Sequence, residues 1–163
     1  MIRILFVCHG NICRSPMAEF VMKKLVADRD AGEKFHIESA AVSTEEIGNG
    51  IYPPARRCLK AHGIPFDIGK TARQVVDADY DRFDLIVYMD HSNLRWLEVI
   101  LSPRISKSTL DGAREMAAKI RPMMSFAGIS RDVADPWYTD DFETTYKDIY
   151  TACNALLDSL LTD

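Results

Sequence analysis

No apolar run in this chain approaches the ~20 residues that a membrane-spanning helix needs, and the opening MIRILFV is too short for a secretory signal core before polar residues follow. Neither a membrane anchor nor a signal peptide is therefore expected. Positive charge is not in excess: 20 Lys and Arg stand against 24 Asp and Glu, a formal net charge of −4. Bulk attraction to nucleic acid or to an anionic membrane is excluded as a driving force, and an anionic substrate would need a local positive field. Cysteine is sparse, with Cys8, Cys13, Cys58 and Cys153 in 163 residues. With no secretory context this is no disulfide framework, and reduced thiols in a cytoplasm are expected. No repeat, low-complexity tract or linker interrupts the chain. What remains is 47% hydrophobic and 27% charged, the make-up of one globular domain over residues 1–163.

Residues 2–7, IRILFV, form a short, continuous apolar run that predicts a buried strand. A helix is expected from Ser15, with Ser15 as N-cap, Pro16 as first helical residue and Glu19 in the opening turn. Met17, Phe20, Val21, Leu25 and Val26 then recur at helical spacing. Strands are expected at 36–42 and 83–90, with a weaker edge strand near IRPMMSF, where Pro122 argues against a central position. Helices are expected over ARRCLKAHG (55–63), HSNLRWLEVILS (91–102), SKSTLDGAREMAAK (106–119) and DFETTYKDIYTACNALLDSLL (141–161), and a loop over RDVADPWYTDD. Strands alternating with helices imply an α/β fold, a parallel sheet with helices on both faces. Ligands bind such sheets beyond the carboxyl ends of the strands.

The stretch CHGNICRSP lies at such a place. Between the first strand and the helix, successive backbone N–H groups can curl around one point, with Gly10 and Asn11 tolerating left-handed conformations. A ring of amides at a helix N-terminus is an anion site, and Arg14 adds a planar fork matched to two phosphate oxygens. Cys8 then sits at the base of an electropositive cradle, which favours the thiolate and aims a nucleophile at phosphorus. A zinc site on Cys8 and Cys13 lacks a second ligand pair, His9 being the only nearby addition. No metal is expected.

Cleaving a phosphate ester also requires a proton donor for the departing oxygen. Asp135 in ADPWYTDD is the candidate, a carboxyl in a proline-stiffened loop beside Trp137 and Tyr138. Two readings stand evenly here: a partly desolvated acid with aromatic pocket walls, or an Asp-Pro turn with two core aromatics. Cys58 and Cys153 read as core packing, Asp90 and Ser92 as helix capping. His36 and His62 receive no role.

VCHGNICRSPMAE near the N-terminus and DPWY in the last quarter resemble the low-molecular-weight protein tyrosine phosphatases, with SAAVS, ARRCLKAHGI, ARQV and YMDHSNLRWL following in the same order. The resemblance implies a flavodoxin-like fold, a four-stranded parallel sheet in the order 2-1-3-4 flanked by helices. It implies hydrolysis without a cofactor through a phosphocysteine, acting as a monomer on phosphotyrosine proteins or small aryl phosphates. Carried over by position, Cys8 is the nucleophile, Arg14 clamps the phosphoryl group and Asp135 is the general acid. His9, Gly10, Asn11, Ile12 and Cys13, with Arg14, supply the amide cradle. Asn11 braces the loop with Ser39 as partner, Ser15 hydrogen-bonds the thiolate, and Trp137 and Tyr138 line the pocket.

Four positions depart from the family pattern. His9 stands where an aliphatic or small polar residue is usual, and reads either as a rim contact with pH dependence or as a solvated surface histidine. Glu45 and Glu46 replace an aromatic wall and make an acidic rim. Lys70 replaces a bracing histidine, so the brace must be rearranged or made by lysine in another geometry. Cys13 reads either as a partner for Cys8 in a reversible disulfide or as packing beneath the first helix. Competing activities are arsenate reduction, which needs resolving cysteines that residues 75–105 lack, phosphate binding without turnover, and general small-molecule phosphatase activity.

Overall fold

A computed structural model describes residues 1–162. The first apolar run forms strand β1 (Ile2–Cys8) at the centre of the sheet. Its side chains alternate between faces, as strand geometry requires. Ile4, Phe6 and Cys8 enter one core, while Leu5 and Val7 enter the other. β2 (Phe35–Ala41) and β3 (Leu85–Tyr88) pair in parallel on either side of β1, and β4 (Ile120–Pro122) pairs with β3. Among the described residues the sheet has four strands in the order β2-β1-β3-β4, all parallel. β4 is the edge expected from Pro122, which has no amide to offer a further neighbour.

Helices cover both faces. α1 (Arg14–Asp28), α2 (Pro53–Ala61) and α7 (Phe142–Thr162) close over the face carrying Ile4 and Phe6. α3 (Asp79–Arg82), α4 (His91–Ile100) and α5 (Leu110–Lys119) close over the other through Tyr80, Leu97 and Met116. No helix among the described residues is long and apolar enough to cross a membrane.

Several boundaries differ from expectation, each for a local reason. α1 begins at Arg14 with Cys13 in the capping position, so Ser15 lies inside the first turn, where its hydroxyl has other partners; Glu19 falls in the second turn and is buried. α2 starts earlier than expected because Pro53 and Pro54 occupy its first turn, where a missing N–H costs nothing. β3 is shorter because Asp90 leaves the strand to cap α4, in a capping box closed by Asn93. α5 starts late, capped by Thr109, whose Oγ1 accepts from the Gly112 amide. The segment 131–141, expected to be a loop, contains one helical turn, α6 (Pro136–Thr139), capped by Asp135.

Candidate active site

The turn between β1 and α1 wraps around a single sulfur. Cys8 Sγ receives the amides of Asn11 (3.3 Å) and Ser15 (3.4 Å) and lies 3.0 Å from Ser15 Oγ. Asn11 makes this possible by adopting φ 59°, the left-handed conformation expected of it. Gly10 does not adopt a left-handed φ. A Cβ there would come within 3.2 Å of Glu46 Cγ, so any larger residue would push the Glu46 side chain aside. The amides of Gly10, Ile12 and Cys13 meet no acceptor among the described residues and are open to an anion.

A buried hydrogen-bond chain holds the turn from beneath. Asn11 Nδ2 donates to Ser15 Oγ (2.8 Å) and to Ser39 Oγ (2.9 Å), and Asn11 Oδ1 accepts from the Arg73 amide (3.3 Å). Ser39 Oγ in turn donates to Glu19 Oε1 at 2.6 Å. Lys70 Nζ donates to the Ser39 carbonyl (3.0 Å) and pairs with Glu19 Oε1 (3.3 Å), while Lys23 pairs with Glu19 Oε2 (2.6 Å). Lys70 thus joins the brace in its own geometry, reaching the turn through the carboxylate. Glu19, given only a helix-opening role from the sequence, is the link.

Arg14 is 2% exposed and fully engaged on one edge. Nη1 donates to Asp90 Oδ2 (2.8 Å) and to the Val133 carbonyl (2.9 Å), and Nη2 donates to Asp135 Oδ2 (3.2 Å). Burial alone would weaken its charge, but Cys8, Asp135 and Asp90 together hold its pKa above the usual arginine value. Asp90 therefore caps α4 with one oxygen and orients Arg14 with the other. The capping role was legible in the sequence; the second was not, although a carboxylate at the carboxyl end of a central strand is the available signal. Cys13 is buried, and desolvation together with the nearby Cys8 pushes its thiol pKa well above the ordinary range.

Above the sulfur opens a cavity of about 360 Å³. Cys8, Gly10, Ile12, Cys13 and Arg14 border it from the turn, Asp135, Trp137 and Tyr138 from the α6 segment, and His9, Glu45 and Glu46 from the rim. Trp137 and Tyr138 are 54% and 85% exposed, so they are walls and not core aromatics. Asp135 Oδ1 accepts from the Trp137 backbone amide at 3.1 Å, which ties the carboxyl to the start of α6. His9 is no free surface histidine: its Nε2 pairs with Glu45 Oε2 at 3.1 Å and its ring meets the edge of Trp96 at 6.2 Å. Sequence reading missed Trp96 and Tyr52, the latter lying 5.0 Å from Trp137 ring to ring. Asn11 and Ser15 lie below the cavity and are not part of its lining.

A parallel sheet with a thiol at the floor of an amide-lined anion turn defines a class of phosphate-handling α/β proteins, and comparison with known proteins narrows it. The family model for low molecular weight phosphotyrosine protein phosphatases matches residues 3–163. The chain is 42% identical over 161 residues to the low molecular weight phosphotyrosine protein phosphatase of Gallus gallus, spanning 95% of this chain and 93% of that one. It is 38% identical over 162 residues to the low molecular weight protein-tyrosine-phosphatase YfkJ of Bacillus subtilis, spanning 98% and 96%. The crystal structure of YfkJ superposes with a TM-score of 0.86 over 99% of this chain and 96% of that one, at 37% identity. The chain belongs to the low molecular weight phosphotyrosine protein phosphatase family, a family of phosphoric monoester hydrolases.

The brace yields a stability prediction. Asn11→Ala places a Cβ residue without a local hydrogen-bonding side chain in the left-handed region and strands the polar groups of Ser39 and Arg73. Urea unfolding should show a loss of roughly 2–4 kcal/mol. Asn11→Gly keeps the backbone conformation and should lose less. An alanine variant within about 0.5 kcal/mol of the parent, the range of neutral surface changes, would remove Asn11 as the keystone of the turn.

Proposed function

We propose that the protein hydrolyses phosphotyrosine and aryl phosphate monoesters in two steps through a phosphocysteine on Cys8. The observation that carries this reading is the convergence of two amides and the Ser15 hydroxyl on Cys8 Sγ, directly below a cavity bordered by Arg14 and Asp135. These donors would stabilise negative charge on the sulfur as it attacks and as it leaves. In this reading the phosphoryl oxygens take the open amides of the turn and the guanidinium edge of Arg14. They displace the Nη2 contact to Asp135, leaving its Oδ2 to face the departing oxygen. Sγ attacks phosphorus as the P–O bond to the leaving group breaks, and Asp135 delivers the proton to that oxygen. Water then attacks the phosphocysteine, Asp135 takes its proton, and phosphate leaves as the P–S bond breaks. The Ser15 hydroxyl donates to the returning thiolate. No step calls for a metal or cofactor.

An aryl leaving group suits the exposed faces of Trp137 and Tyr138 and the apolar Ile12 at the floor. Glu45 and Glu46 on the rim disfavour peptides with acidic residues beside the phosphate. Arsenate reduction is the poorer reading: Cys58 and Cys153 are buried in α2 and α7, and the thiol beside Cys8 in the turn is Cys13. Cys13 is the thiol beside Cys8 in the turn: after peroxide oxidises Cys8 to a sulfenic acid, attack by the Cys13 sulfur forms a disulfide and releases water, and the burial that disfavours the Cys13 thiolate slows that step. This chemistry belongs to a reducing compartment such as the cytoplasm.

Cys8→Ser should abolish turnover while retaining phosphate binding, read by stopped flow on an aryl phosphate and by titration calorimetry with phosphate; substantial residual turnover would sink the phosphocysteine. Asp135→Ala should slow alkyl phosphates far more than phosphates of acidic phenols, by up to ~10²–10⁴-fold for the poorest leaving groups. An equal loss across all esters would contradict the acid role. After peroxide treatment the parent should regain activity with dithiol and show an 8–13 crosslink in mass spectra. Cys13→Ser should be inactivated and recover poorly; equal recovery of the two proteins would make Cys13 purely structural.

A further inference from the structure

Three metal-binding side chains meet where α2 abuts α7, outside the lining of the phosphate cavity. Cys58 and His62 are four residues apart at the C-terminal end of α2 and share one face. Glu143, in the first turn of α7, reaches both: Oε2 lies 2.7 Å from His62 Nε2, and Oε1 lies 3.5 Å from Cys58 Sγ. All three ligand atoms fall within 4.8 Å of one another. Tetrahedral zinc, with Zn–S of about 2.3 Å and Zn–N or Zn–O of about 2.0 Å, sets its ligand atoms about 3.3–3.6 Å apart, so a small adjustment of three side chains suffices.

The arrangement has the features of a built site. The His62 ring is stacked on Tyr146, centroids 3.8 Å apart and planes 12° from parallel, so its orientation is fixed. Cys58 is buried with its sulfur turned toward Glu143. His62 and Glu143 face a shallow cavity that is also bordered by Thr144 and Lys147, which leaves one side open to solvent.

We propose that Cys58, His62 and Glu143 bind one Zn²⁺ ion, with solvent as the fourth ligand. The donor set of one thiolate, one imidazole and one carboxylate suits borderline-soft zinc and not the hard Mg²⁺ or Ca²⁺ ions. On binding, the Cys58 proton passes to solvent, His62 Nε2 offers its lone pair in place of its contact with Glu143, and the charges of the thiolate and carboxylate balance the ion. The ion clamps the end of α2 to the start of α7. The clamp adjoins Phe142, whose ring lies 6.1 Å from Tyr52, itself packed against Trp137 of the cavity wall.

The test uses the full chain carrying Cys8→Ser, so that the thiol in the turn does not compete. Titration with Co²⁺ should saturate at one equivalent with a thiolate-to-cobalt charge-transfer band and the intense visible bands of a tetrahedral site, and Zn²⁺ should displace it. Zn²⁺ at about 100 times its dissociation constant should raise the Tm by roughly 5–10 °C. Adding Cys58→Ser should abolish the charge-transfer band, and His62→Gln or Glu143→Gln should each weaken Zn²⁺ binding more than about tenfold, with the fold checked by circular dichroism. Absence of the band, or its survival in the Cys58→Ser protein, would overturn the site. If Cys58→Ser does not fold, unchanged Zn²⁺ affinity in His62→Gln overturns it equally.

Discussion

The rest of the structure depends on how one turn directs donors at one sulfur. Polarity, as much as position, is what the turn must control. Glu19, held by Lys23 and Lys70, presents acceptors, so the Ser39 hydroxyl donates to it. Ser39 must then accept, and Asn11 Nδ2 supplies that proton; its second N–H goes to Ser15 Oγ. Ser15, already accepting from Asn11, has one proton for two acceptors, the Ala40 carbonyl at 3.4 Å and Cys8 Sγ at 3.0 Å, and a thiolate at the nearer position draws it. A carboxylate separated from the sulfur by three side chains, Ser39, Asn11 and Ser15, thus fixes that Ser15 Oγ accepts from Asn11 and leaves its proton free for the sulfur above. Because Glu19, Ser39 and Asn11 are buried, a reversed bond between them would leave a donor facing a donor, or an acceptor an acceptor, in a low-dielectric interior.

Arg14 solves a different problem. The chain as a whole is anionic, at −4, yet the site proposed to receive an anion must be locally positive. A guanidinium 2% exposed loses its water, and Cys8, Asp135 and Asp90 offset that desolvation. Asp90 and Asp135 play unequal parts in this. Asp90 is tied to α4 through its other oxygen and braces Nη1 rigidly. Asp135 is tied to a one-turn helix and holds Nη2 at the longer distance of 3.2 Å. The looser partner is the one at the cavity, so an incoming anion can replace it without unseating the arginine.

The turn and the sheet were legible in the sequence because their signals are local. A short apolar strand, a Gly-Asn pair and Arg-Ser-Pro each specify backbone conformation within a few residues. What local signals rank wrongly is competition for one side chain. Ser15 is a good cap by type, but Cys8 and Asn11 claim its hydroxyl, and the helix starts two residues earlier. Asp90 reads as a cap and is one, but the arginine it also holds lies 76 positions away. Lys70 has no local signal at all; a long side chain reaches Glu19 from a loop whose path only packing decides. Cys58 and His62 show helical spacing in the sequence, whereas Glu143, 85 residues from Cys58, joins them only through the contact of α2 with α7.

Parallel strands gather these distant groups at one edge of the sheet, and backbone bonds past the strand ends fix them there. Beyond β1 and β2, Val42 N donates to Cys8 O at 3.0 Å and Ser43 N to His9 O at 3.1 Å, which holds the turn against its neighbour. Beyond β3, Val133 N donates to Met89 O at 2.9 Å, and the Val133 carbonyl accepts from Arg14. One peptide group is therefore pinned on both sides, two residues before Asp135. A carboxyl 127 positions from Cys8 in the chain is held over the sulfur by that peptide, by its cap on α6 and by its contact with Arg14. Only the last of these lies where an anion would enter. When it exchanges, the other two keep Asp135 at the cavity, so binding can release its oxygen without releasing the loop.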